Sequence, residues 1–383
     1  MRILAIETSC DETAVSLLDI TSPSNFSVLG TGLLSQADLH SEYGGVFPTL
    51  AKREHAKNLV PMLLKALTEA QALPEKTAQA DAEKISQITE ILLPREPLLL
   101  DSLLAEIIPL QKPTIDAIAV TTGPGLEPAL WVGINFARAL SVLWSVPVIP
   151  VNHMEGHLFS ILNTTETLTF PALALLVSGG HTELIFATKW GDYTRIGKTR
   201  DDAVGEAFDK VARILGFSYP GGPEISKHAL RARAEHIPSP VTLPRPMKNS
   251  ADFDFSFSGL KTAVLYALRD NTFTADEKDG LAREFEDSAI EVLTHKTLRA
   301  LKEKNARTLI VAGGVSANTK LKETFIEKLS TENITLLFPE KNLSTDNAVM
   351  IGLAGFIRSM NQGEEAYVPQ EALVANGNLD LTE

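Results

Sequence analysis

The sequence has a single cysteine, Cys10, which excludes an internal disulfide framework and suits a reducing compartment. It has no apolar run that approaches the roughly 20 residues of a transmembrane helix, so we expect no membrane contact. The first residues, MRILAIETS, already have the pattern of a strand, so we expect no presequence before the fold. A cytoplasmic location is the simplest interpretation, with the mitochondrial matrix as the alternative.

The sequence also has fewer basic than acidic residues. Lys and Arg number 35 against 48 Asp and Glu, and the net charge of −13 argues against a protein that binds nucleic acid over its whole surface. A local basic stripe is still compatible with this charge. The alternative, with equal weight, is that the same basic residues belong to ordinary solvated helix faces. The candidates for such a stripe are Arg195, Lys198, Arg200, Lys210, Arg213, Lys227, Arg231, Arg233, Arg245 and Lys248.

Three catalytic and nucleotide-binding signatures are missing. The chain has neither a Walker lysine motif nor GxGxxG, which argues against P-loop ATPases and Rossmann dehydrogenases. The HExxH motif of zinc proteases is missing too, because the order is His153-Met154-Glu155-Gly156-His157. Glu155 therefore stands one position late, about 100° off the face of the helix that carries the histidines. This disfavours a metallopeptidase.

What is present is the composition of a globular protein. Hydrophobic residues make up 44% of the chain and charged residues 22%, and neither fraction indicates bulk disorder. A length of 383 residues is long for one core and sufficient for two domains or two fused lobes.

The first half of the chain has the pattern of an α/β lobe. Residues 3–18 predict a β-hairpin with an acidic tip, and residues 47–70 predict a helix that Pro61 kinks or breaks. An apolar strand, a helix and a second strand then follow at 115–125, 128–144 and 146–152. Between these parts, residues 71–112 predict an inserted helical segment that lies away from the chemistry.

The pattern then starts again. Residues 171–188 predict a second hairpin, with Ser-Gly-Gly-His-Thr at its tip, and residues 308–325 predict a strand, a Gly-Gly turn and a helix. A capped helix is expected at 344–358. The likeness of the two hairpins suggests an internal duplication of one lobe.

His153 and His157 are the first candidates for a chemical role. At positions i and i+4 of a helix they share one face and can bind a single cation through imidazole nitrogens. A pair of histidines is an incomplete site, and capping or packing histidines are the more common explanation. Asp346, which stands beside Ser344 and Thr345 at the start of a helix, is the candidate third ligand, with a helix N-cap as its alternative role.

Glycine turns are the second group of candidates. Ser178-Gly179-Gly180, Gly313-Gly314 and Gly221-Gly222 each allow backbone amides to approach an anion. Each is by itself more often a plain turn, whereas three of them in a duplicated α/β chain favour a nucleotide cleft. Asp209, on a predicted helix near these turns, is able to accept hydrogen bonds from a ribose or to remain a solvated charge.

The motifs, taken in order, resemble the TsaD family. ETSCDET, SEYGGVFPTLAKREH, TTGPGL, HMEGHL, LLVSGGHTEL, GEAFDK, YPGGPEISK, FDFSFSGLKTA, AGGVSAN and STDNA occur in the order found in that family, across residues 1–358 except for 71–112. The resemblance implies a duplicated, two-lobed α/β fold of the actin, Hsp70 and sugar kinase class, with a nucleotide cleft. The implied reaction is transfer of threonylcarbamoyl from threonylcarbamoyladenylate to a tRNA adenosine, with release of AMP.

The resemblance also implies roles for individual residues. His153, His157 and Asp346 match the family's ligands for one divalent metal, Fe(II) in the first place and Zn(II) as the alternative. Positions that match the family's binding site for the adenylate are Leu176, Val177, Ser178, Gly179, Gly180, Asp209, Gly222 and Asn318. The family pattern implies the TsaB and TsaE proteins as partners of a bacterial form, and a homodimer for a mitochondrial form.

Two departures from the family pattern concern the surroundings of this site. Asn152 stands where many relatives have a histidine, and Glu127-Pro128 replaces residues that are small or apolar. The insertion at 71–112 lies in the lobe that contacts TsaB in bacterial relatives. We expect a first lobe at 1–150 that includes the helix at 344–360, a second lobe at 151–343, and a tail at 361–383.

The acidic tip of the first hairpin supplies the candidate general base. The exocyclic amine of adenine is a poor nucleophile, so a nearby carboxylate would take its proton during the attack, and Asp11 or Glu12 is placed for this role. Amides at 178–180 would hold the phosphate. A sugar-kinase-like protein of the same fold and a non-catalytic subunit are rival interpretations, and the pair of histidines argues against both.

Overall fold

The computed structural model describes residues 1–76, 81–163, 168–270 and 272–382. Within them, strands form two sheets of five strands each, with helices on their faces. The first sheet contains β1 Arg2–Glu7, β2 Glu12–Ser22, β3 Asn25–Ser35, β4 Ala117–Gly123 and β5 Val148–Asn152. The second contains β6 Ala172–Val177, β7 Thr182–Lys189, β8 Asp192–Lys198, β9 Thr308–Ala312 and β10 Thr335–Leu337.

The two sheets have the same topology. The strand order is β3-β2-β1-β4-β5 in the first sheet and β8-β7-β6-β9-β10 in the second. In each, the first three strands are antiparallel and the last two join in parallel. Because order and direction repeat strand for strand, the internal duplication that the two hairpins suggested is present in the fold.

Twelve α-helices lie within the described residues. They are α1 Ala37–Ser41, α2 Pro48–Glu69, α3 Ala82–Leu92, α4 Pro97–Glu106, α5 Glu127–Trp144, α6 His153–Phe159, α7 Val204–Leu215, α8 Gly221–Ala234, α9 Ser258–Asp270, α10 Ala275–Lys304, α11 Thr319–Leu329 and α12 Ala348–Gln362. No helix in this described part of the chain is both long and apolar enough to cross a membrane.

Both faces of the first sheet are buried. Leu4 and Ile6 join a core with α2 and α5, whereas Ile3 and Ala5 join a core with α12. This explains why β1 is an unbroken apolar run rather than an alternation of apolar and polar residues. The helix nearest the C-terminus therefore returns to the sheet that the N-terminus begins.

Three local expectations need correction. Pro61 does not break its helix, because α2 runs without interruption from Pro48 to Glu69. Asp346 lies before α12, whose N-cap is Asn347. The Gly313-Gly314 turn leads into a short 3-10 turn at Gly314–Ala317, and α11 begins only after it. In the second and third cases the helix begins later than predicted, because Asn347 caps α12 and Asn318 caps α11 by accepting a hydrogen bond from one of the first free amides.

The segment 71–112 contains α3 and α4, as the amphipathic pattern predicts. Ile88 and Leu92 of α3 are buried in the core that α5 shares, and Lys84 donates to the Leu143 carbonyl at the end of α5. Residues 77–80 of this segment lie outside the described residues. The inserted helices thus cover the outer side of the first lobe.

Candidate active site and metal centre

A cleft of about 760 Å³ lies between the hairpin tips of the two sheets. From the first lobe it is lined by the tip after β1 and the turn after β4, and from the second by the tip between β6 and β7 and by α7. Its lining residues include Ser9, Cys10, Asp11, Glu12, His153, Ser178, Gly179, Gly180, His181, Asp209 and Asp346. Most of the site residues predicted from the sequence therefore meet in one place.

The short helix α6 presents the two histidines. Asn152, the last residue of β5, caps this helix, because its Oδ1 accepts hydrogen bonds from the amides of Met154 at 2.9 Å and Glu155 at 3.3 Å. His153 and His157 then lie one turn apart, with ring centroids 4.7 Å from each other. A departure from the family pattern at position 152 thus has a structural role as the cap of the ligand helix.

Asp346 completes the group from a distant part of the chain. Its Oδ1 lies 3.4 Å from His153 Nε2 and 3.2 Å from His157 Nε2, and one ligand atom from each of the three residues lies within 4.8 Å of the others. Burial alone would raise the pKa of Asp346, but His153 and His157 outweigh it and hold the pKa below its usual range. The carboxylate is therefore ionised and able to bind a cation.

Glu7 supports His153 from behind. Its Oε2 lies 3.1 Å from His153 Nδ1 and also accepts a hydrogen bond of 2.6 Å from the Thr121 hydroxyl. The carboxyl is fully buried. Burial raises its pKa, but His153 lowers the pKa by more, so Glu7 is ionised. A carboxylate on the far nitrogen fixes the tautomer and orientation of a metal-ligating histidine. The sequence pattern gave no sign of this role beyond an acidic residue at the end of an apolar strand.

The chemistry of these residues fits a divalent metal. Both ring nitrogens of His157 are buried: Nδ1 has no hydrogen-bond partner among the described residues, and Nε2 lies 3.2 Å from Asp346 Oδ1, where a cation could join the two. Burial lowers the pKa of His153, but Asp346 and Glu7 raise it by more, and a metal would compete with that proton. Two imidazoles and one carboxylate suit Fe(II) or Zn(II).

Glu155 faces away from this group, as its place in the sequence predicts. Its Oε1 accepts a hydrogen bond of 3.0 Å from the Tyr193 hydroxyl, and burial raises its pKa. The carboxyl is thus committed to a neighbouring strand, and the arrangement of a zinc protease is not formed.

The tip between β6 and β7 faces the metal group with open amides. The Ser178 hydroxyl accepts from the His181 amide at 3.1 Å, and the Ser178 amide donates to the His181 carbonyl at 2.9 Å. A Cβ atom added to Gly179 or Gly180 would meet nothing within 4 Å, so the backbone there is open to a ligand. The side chains of Leu176 and Val177 are buried in the core, their backbone pairs within the sheet, and neither residue is part of the cleft lining.

The residues expected to bind the nucleoside lie at different depths. Asp209 lines the cleft, and its Oδ1 accepts from the Gly221 amide at 2.8 Å. Gly222 has open space beside it. Asn318 instead caps α11 through the Leu321 amide, and its Nδ2 donates to Glu286 Oε1 at 2.7 Å. The side chain of Asn318 therefore holds helices of the second lobe together.

Asp11 and Glu12 both line the cleft beside the metal group. The Ser35 hydroxyl donates to Glu12 Oε1 at 3.2 Å. Burial first, and then the charges of Asp346 and Asp11, raise the pKa of Glu12 well above its ordinary value. Both carboxylates therefore remain candidates for the general base.

The suggested basic stripe is largely neutralised. Most of its ten residues make ion pairs within the second lobe or with the tail: Arg195 with Asp380, Arg200 with Asp252 and Asp254, Lys210 with Asp202 and Glu206, Lys227 with Glu224, Arg231 with Asp276 and Asp279, Arg233 with Glu286 and Asp287, and Arg245 and Lys248 with Glu291. Lys198 and Arg213 have no ion-pair partner among the described residues, and Arg213 lines the cleft.

The C-terminal tail is a part of the cleft that the sequence did not predict. The Asn376 amide donates to the Thr122 carbonyl at 2.8 Å, and the Gly125 amide donates to the Gly377 carbonyl at 3.1 Å. A Cβ atom on Gly123, whose φ is +150°, would lie 1.9 Å from the Asn376 carbonyl oxygen. Gly123 therefore allows the tail to lie against the end of β4, and Gly377 and Asn378 line the cleft.

Comparison with solved structures agrees with the fold. Full-length HypF, in its phosphate- and nucleotide-bound form, superposes with a TM-score of 0.51 at 13% identity, covering 95% of this chain and 56% of that one. The likeness concerns the fold alone. Together with the repeated sheet topology it confirms the predicted α/β class, a duplicated actin-like fold with two lobes.

Comparison of sequences identifies the family. The family model described as TsaD: tRNA N6-adenosine threonylcarbamoyltransferase matches residues 27–80 and 95–353. A protein of that name from Aromatoleum aromaticum is 42% identical over 359 residues, which is 94% of this chain and 92% of the relative. One from Paraburkholderia xenovorans is 43% identical over 361 residues, with the same two coverages. These matches span both lobes and the metal group, and the chain belongs to the TsaD family.

Proposed function

We propose that this protein transfers the threonylcarbamoyl group from threonylcarbamoyladenylate to the exocyclic amine of the adenosine 3′ to the anticodon, in tRNAs that read codons beginning with A. AMP is the second product, and the reaction depends on a divalent metal. The observation that carries the proposal is the group of two buried histidines, His153 and His157, with the half-buried Asp346, because His153 and Asp346 line the same cleft as the second hairpin tip. Membership of the TsaD family supplies the identity of the substrates.

The reaction is an acyl transfer with a simple balance. The amine nitrogen attacks the carbamoyl carbon, a C–N bond forms, and the bond from that carbon to the phosphate oxygen breaks. The amine loses a proton, and AMP leaves with the bonding electron pair. Because the mixed anhydride is already activated, the protein's contribution is positioning and stabilisation of developing negative charge.

The cleft offers a group for each of these needs. Within the tip 178–180, the amides of Gly179 and Gly180 bind the phosphate, because the Ser178 amide already donates to the His181 carbonyl, and Asp209 accepts hydrogen bonds from the ribose. Gly222 leaves room for the nucleoside, and Asn318 holds the helices around it. Asp11 or Glu12, both of which line the cleft, takes the amine proton.

The metal would be held by His153 Nε2, His157 Nε2 and Asp346 Oδ1. When bound, it supplies Lewis acidity and a clamp for the carbonyl and carboxylate oxygens of the donor. Fe(II) is our first assignment, with Zn(II) as the alternative. Glu7 and Thr121 keep His153 oriented toward the cleft.

The same proposal extends to partners and location. We assign residues 1–150 with the helix at 344–360 to the first lobe, 151–343 to the second, and 361–383 to the tail. TsaB and TsaE are the proposed partner proteins, with a homodimer as the alternative, and the cytoplasm is the proposed compartment. The support is the family membership and the similar length of the bacterial relatives.

A direct assay tests the activity. The metal-loaded protein, alone and with TsaB and TsaE, is incubated with threonylcarbamoyladenylate and unmodified tRNA, and the digested nucleosides are analysed by mass spectrometry. We expect threonylcarbamoyladenosine to accumulate together with AMP in equal amounts. A protein that forms no modified nucleoside in either mixture would contradict the proposal.

A matched pair of histidine variants tests the site. His157→Ala removes a buried ligand and should abolish both metal retention and transfer. His295→Ala changes an exposed histidine of α10, outside the cleft, and should leave both unchanged. Equal metal content in the two variants would refute the assignment of the ligands.

A further inference from the structure

The loop of residues 42–47, which joins α1 to α2, borders the cleft. Gly44, Gly45 and Val46 belong to the cleft lining, and φ is +68° at Gly44 and +154° at Gly45. These backbone conformations favour glycine, and they let the loop turn its backbone toward the cleft. Tyr43 and Phe47, which flank the three lining residues, therefore stand at the rim of the cleft.

Tyr43 and Phe47 form an exposed aromatic pair. Their ring centroids lie 6.0 Å apart with 24° between the ring planes, and the two residues are 60% and 53% exposed. Among the described residues, neither ring stacks on a third aromatic ring. Large exposed apolar side chains that lie together mark interaction sites more often than scattered ones do. The aromatic pair is thus a flat surface that the fold of this chain leaves uncovered.

One buried residue holds the aromatic pair in place. The His40 carbonyl accepts hydrogen bonds from the amides of Tyr43 at 3.0 Å and Gly45 at 3.4 Å, and His40 Nδ1 accepts from the Phe47 amide at 3.3 Å. His40 Nε2 lies 3.2 Å from Gln36 Oε1, which fixes the imidazole ring itself. The backbone that carries both aromatic rings is therefore ordered before a ligand binds, which lowers the entropy cost of binding.

A positive charge lies next to the same loop. The Arg213 side chain lies beside Gly44, because a Cβ atom added to that glycine would be 3.9 Å from Arg213 Cδ. Arg213 lines the cleft and has no ion-pair partner in the described part of the chain. Proteins that bind single-stranded nucleic acid combine aromatic surfaces for the bases with positive charge for the phosphates. A purely apolar partner would cover the rings and leave the guanidinium unpaired.

We propose that Tyr43 and Phe47 stack on a base of the tRNA anticodon loop that is adjacent to the target adenosine, and that Arg213 binds a phosphate of the same strand. The exocyclic amine has to enter the cleft to react, so the target adenosine leaves the base stack and its neighbour loses a stacking partner. The aromatic pair, which stands at the rim of the cleft and not in its lining, replaces that partner. This inference rests on the proposed function, because that function supplies the tRNA.

Filter binding of unmodified tRNA to the full-length, metal-loaded protein is the first measurement. We expect Tyr43→Ala and Phe47→Ala each to weaken tRNA binding about tenfold, which is within the range for the loss of one base–aromatic stack. Tyr43→Phe keeps the ring and should stay within about twofold of the wild type. Tyr266→Ala removes an exposed tyrosine of α9 that does not line the cleft, and should bind tRNA as the wild type does.

A double-mutant cycle with the RNA tests the stacking itself. Two further tRNAs carry an abasic nucleotide on the 5′ or on the 3′ side of the target adenosine. The wild type should bind one of them about tenfold more weakly than intact tRNA, and on that tRNA Tyr43→Ala should cause no further loss. The slope of log affinity against log salt should be the same for Tyr43→Ala and the wild type, because stacking releases no counterions. Thermal unfolding confirms that each variant is folded.

The outcomes separate this inference from the proposed function. A loss of affinity in Tyr43→Ala that disappears on one abasic tRNA supports the stacking. If the wild type modifies tRNA but Tyr43→Ala and Phe47→Ala bind it equally well, or if Tyr43→Ala loses the same factor on both abasic tRNAs, the inference is wrong and the proposed function stands. The inference is also wrong if both variants bind tRNA normally and lose TsaB instead. A wild type that neither binds nor modifies tRNA contradicts the proposed function itself.

Discussion

The two histidines of the candidate metal site differ in how they are supported. His153 has Glu7 and the Ser9 hydroxyl on its far nitrogen, at 3.1 and 3.2 Å, whereas the far nitrogen of His157, Nδ1, has no hydrogen-bond partner among the described residues. His153 is therefore oriented from behind by the protein, whereas the polar contact of His157 is with Asp346 on the ligand side, at 3.2 Å. The sequence predicted both residues from their spacing, and it could not predict Glu7, which is far from them along the chain.

Replacing Glu7 should weaken the metal site without touching a ligand. In Glu7→Gln the charge behind His153 is lost, and we expect the affinity for Fe(II) or Zn(II) to fall by about ten- to hundredfold. A competition titration with a chromophoric chelator measures this directly. Glu69→Gln changes a carboxylate that accepts from the Thr31 amide, away from the cleft, and should bind metal as the wild type does.

A buried histidine outside the metal group should control part of the pH dependence of stability. His55 Nε2 lies 3.0 Å from the Cys10 carbonyl and Nδ1 lies 2.8 Å from the Thr13 hydroxyl, and burial lowers its pKa from 6.5 to about 4. The unfolded chain takes up a proton near pH 6.5 and the folded chain does not. The stability that His55 contributes is thus present above pH 6.5 and is lost as the pH falls toward 4.

The expected loss from His55 between pH 7.5 and pH 5 is about 2 kcal/mol of unfolding free energy. Urea unfolding of the wild type and of His55→Gln at the two pH values measures it. The variant is less stable at pH 7.5, but its stability should fall less steeply on acidification. Parallel pH profiles for the two proteins would show that another group is responsible.

At the level of elements, the N-cap of α6 determines where the histidines point. This helix has only seven residues, so a single cap satisfies a large share of its free amides. Asn152 both caps the helix and contacts the tail through its Nδ2. The sequence marked position 152 only as a departure from the family pattern, since the role of a cap depends on where the helix begins.

Removal of this cap should affect stability and metal binding together. For Asn152→Ala we expect a loss of about 1 kcal/mol in the free energy of unfolding, with a weaker metal affinity because α6 frays at His153. Thr274→Ala removes the capping box of α10, far from the cleft, and should cost a similar amount of stability without any change in metal affinity. Unfolding in urea and a metal titration on both variants make the comparison.

The helical segment at 71–112 shows what an amphipathic sequence pattern can and cannot predict. The family model matches residues 27–80 and 95–353, so the insertion predicted at 71–112 is narrower than expected: only 81–94, which contains α3, falls outside the match, and α4 lies within it. The amphipathic pattern correctly predicted helices there, because each helix buries one face against the first lobe. It could not predict the exact partner, since any apolar surface of the right length would satisfy the same pattern.

At the level of the whole molecule, carboxylates pair with most of the basic side chains singled out in the sequence. Few basic side chains near the cleft are therefore left without an ion-pair partner among the described residues. Most of the basic residues singled out in the sequence form ion pairs, whereas Arg213 lines the cleft close to the loop that carries Gly44. A tRNA that reaches this cleft therefore meets a small number of uncommitted positive charges. Sequence composition alone could not show which cations were paired.

Arg213 should contribute to the salt dependence of tRNA binding. In Arg213→Gln we expect a lower tRNA affinity, and the slope of log affinity against log salt should become smaller by about 0.7–0.9, the value for one phosphate contact. Filter binding at several salt concentrations gives the slope. Arg53→Gln, an exposed change on α2, should leave the slope unchanged, and an equal change in both variants would argue against a contact at Arg213.

The sequence by itself determined the two hairpins, the repeated α/β pattern and the helical spacing of His153 and His157, because these depend on residues close together along the chain. It also determined the family through the order of its motifs. Asp346 was named as the third ligand from the sequence, and the structure places it within 3.4 Å of both histidines, whereas the support of His153 by Glu7 and the wall that the tail adds to the cleft became visible only in the folded chain. The physical reason is that such contacts join segments far apart in the chain, and the packing of two lobes and a terminal segment fixes them.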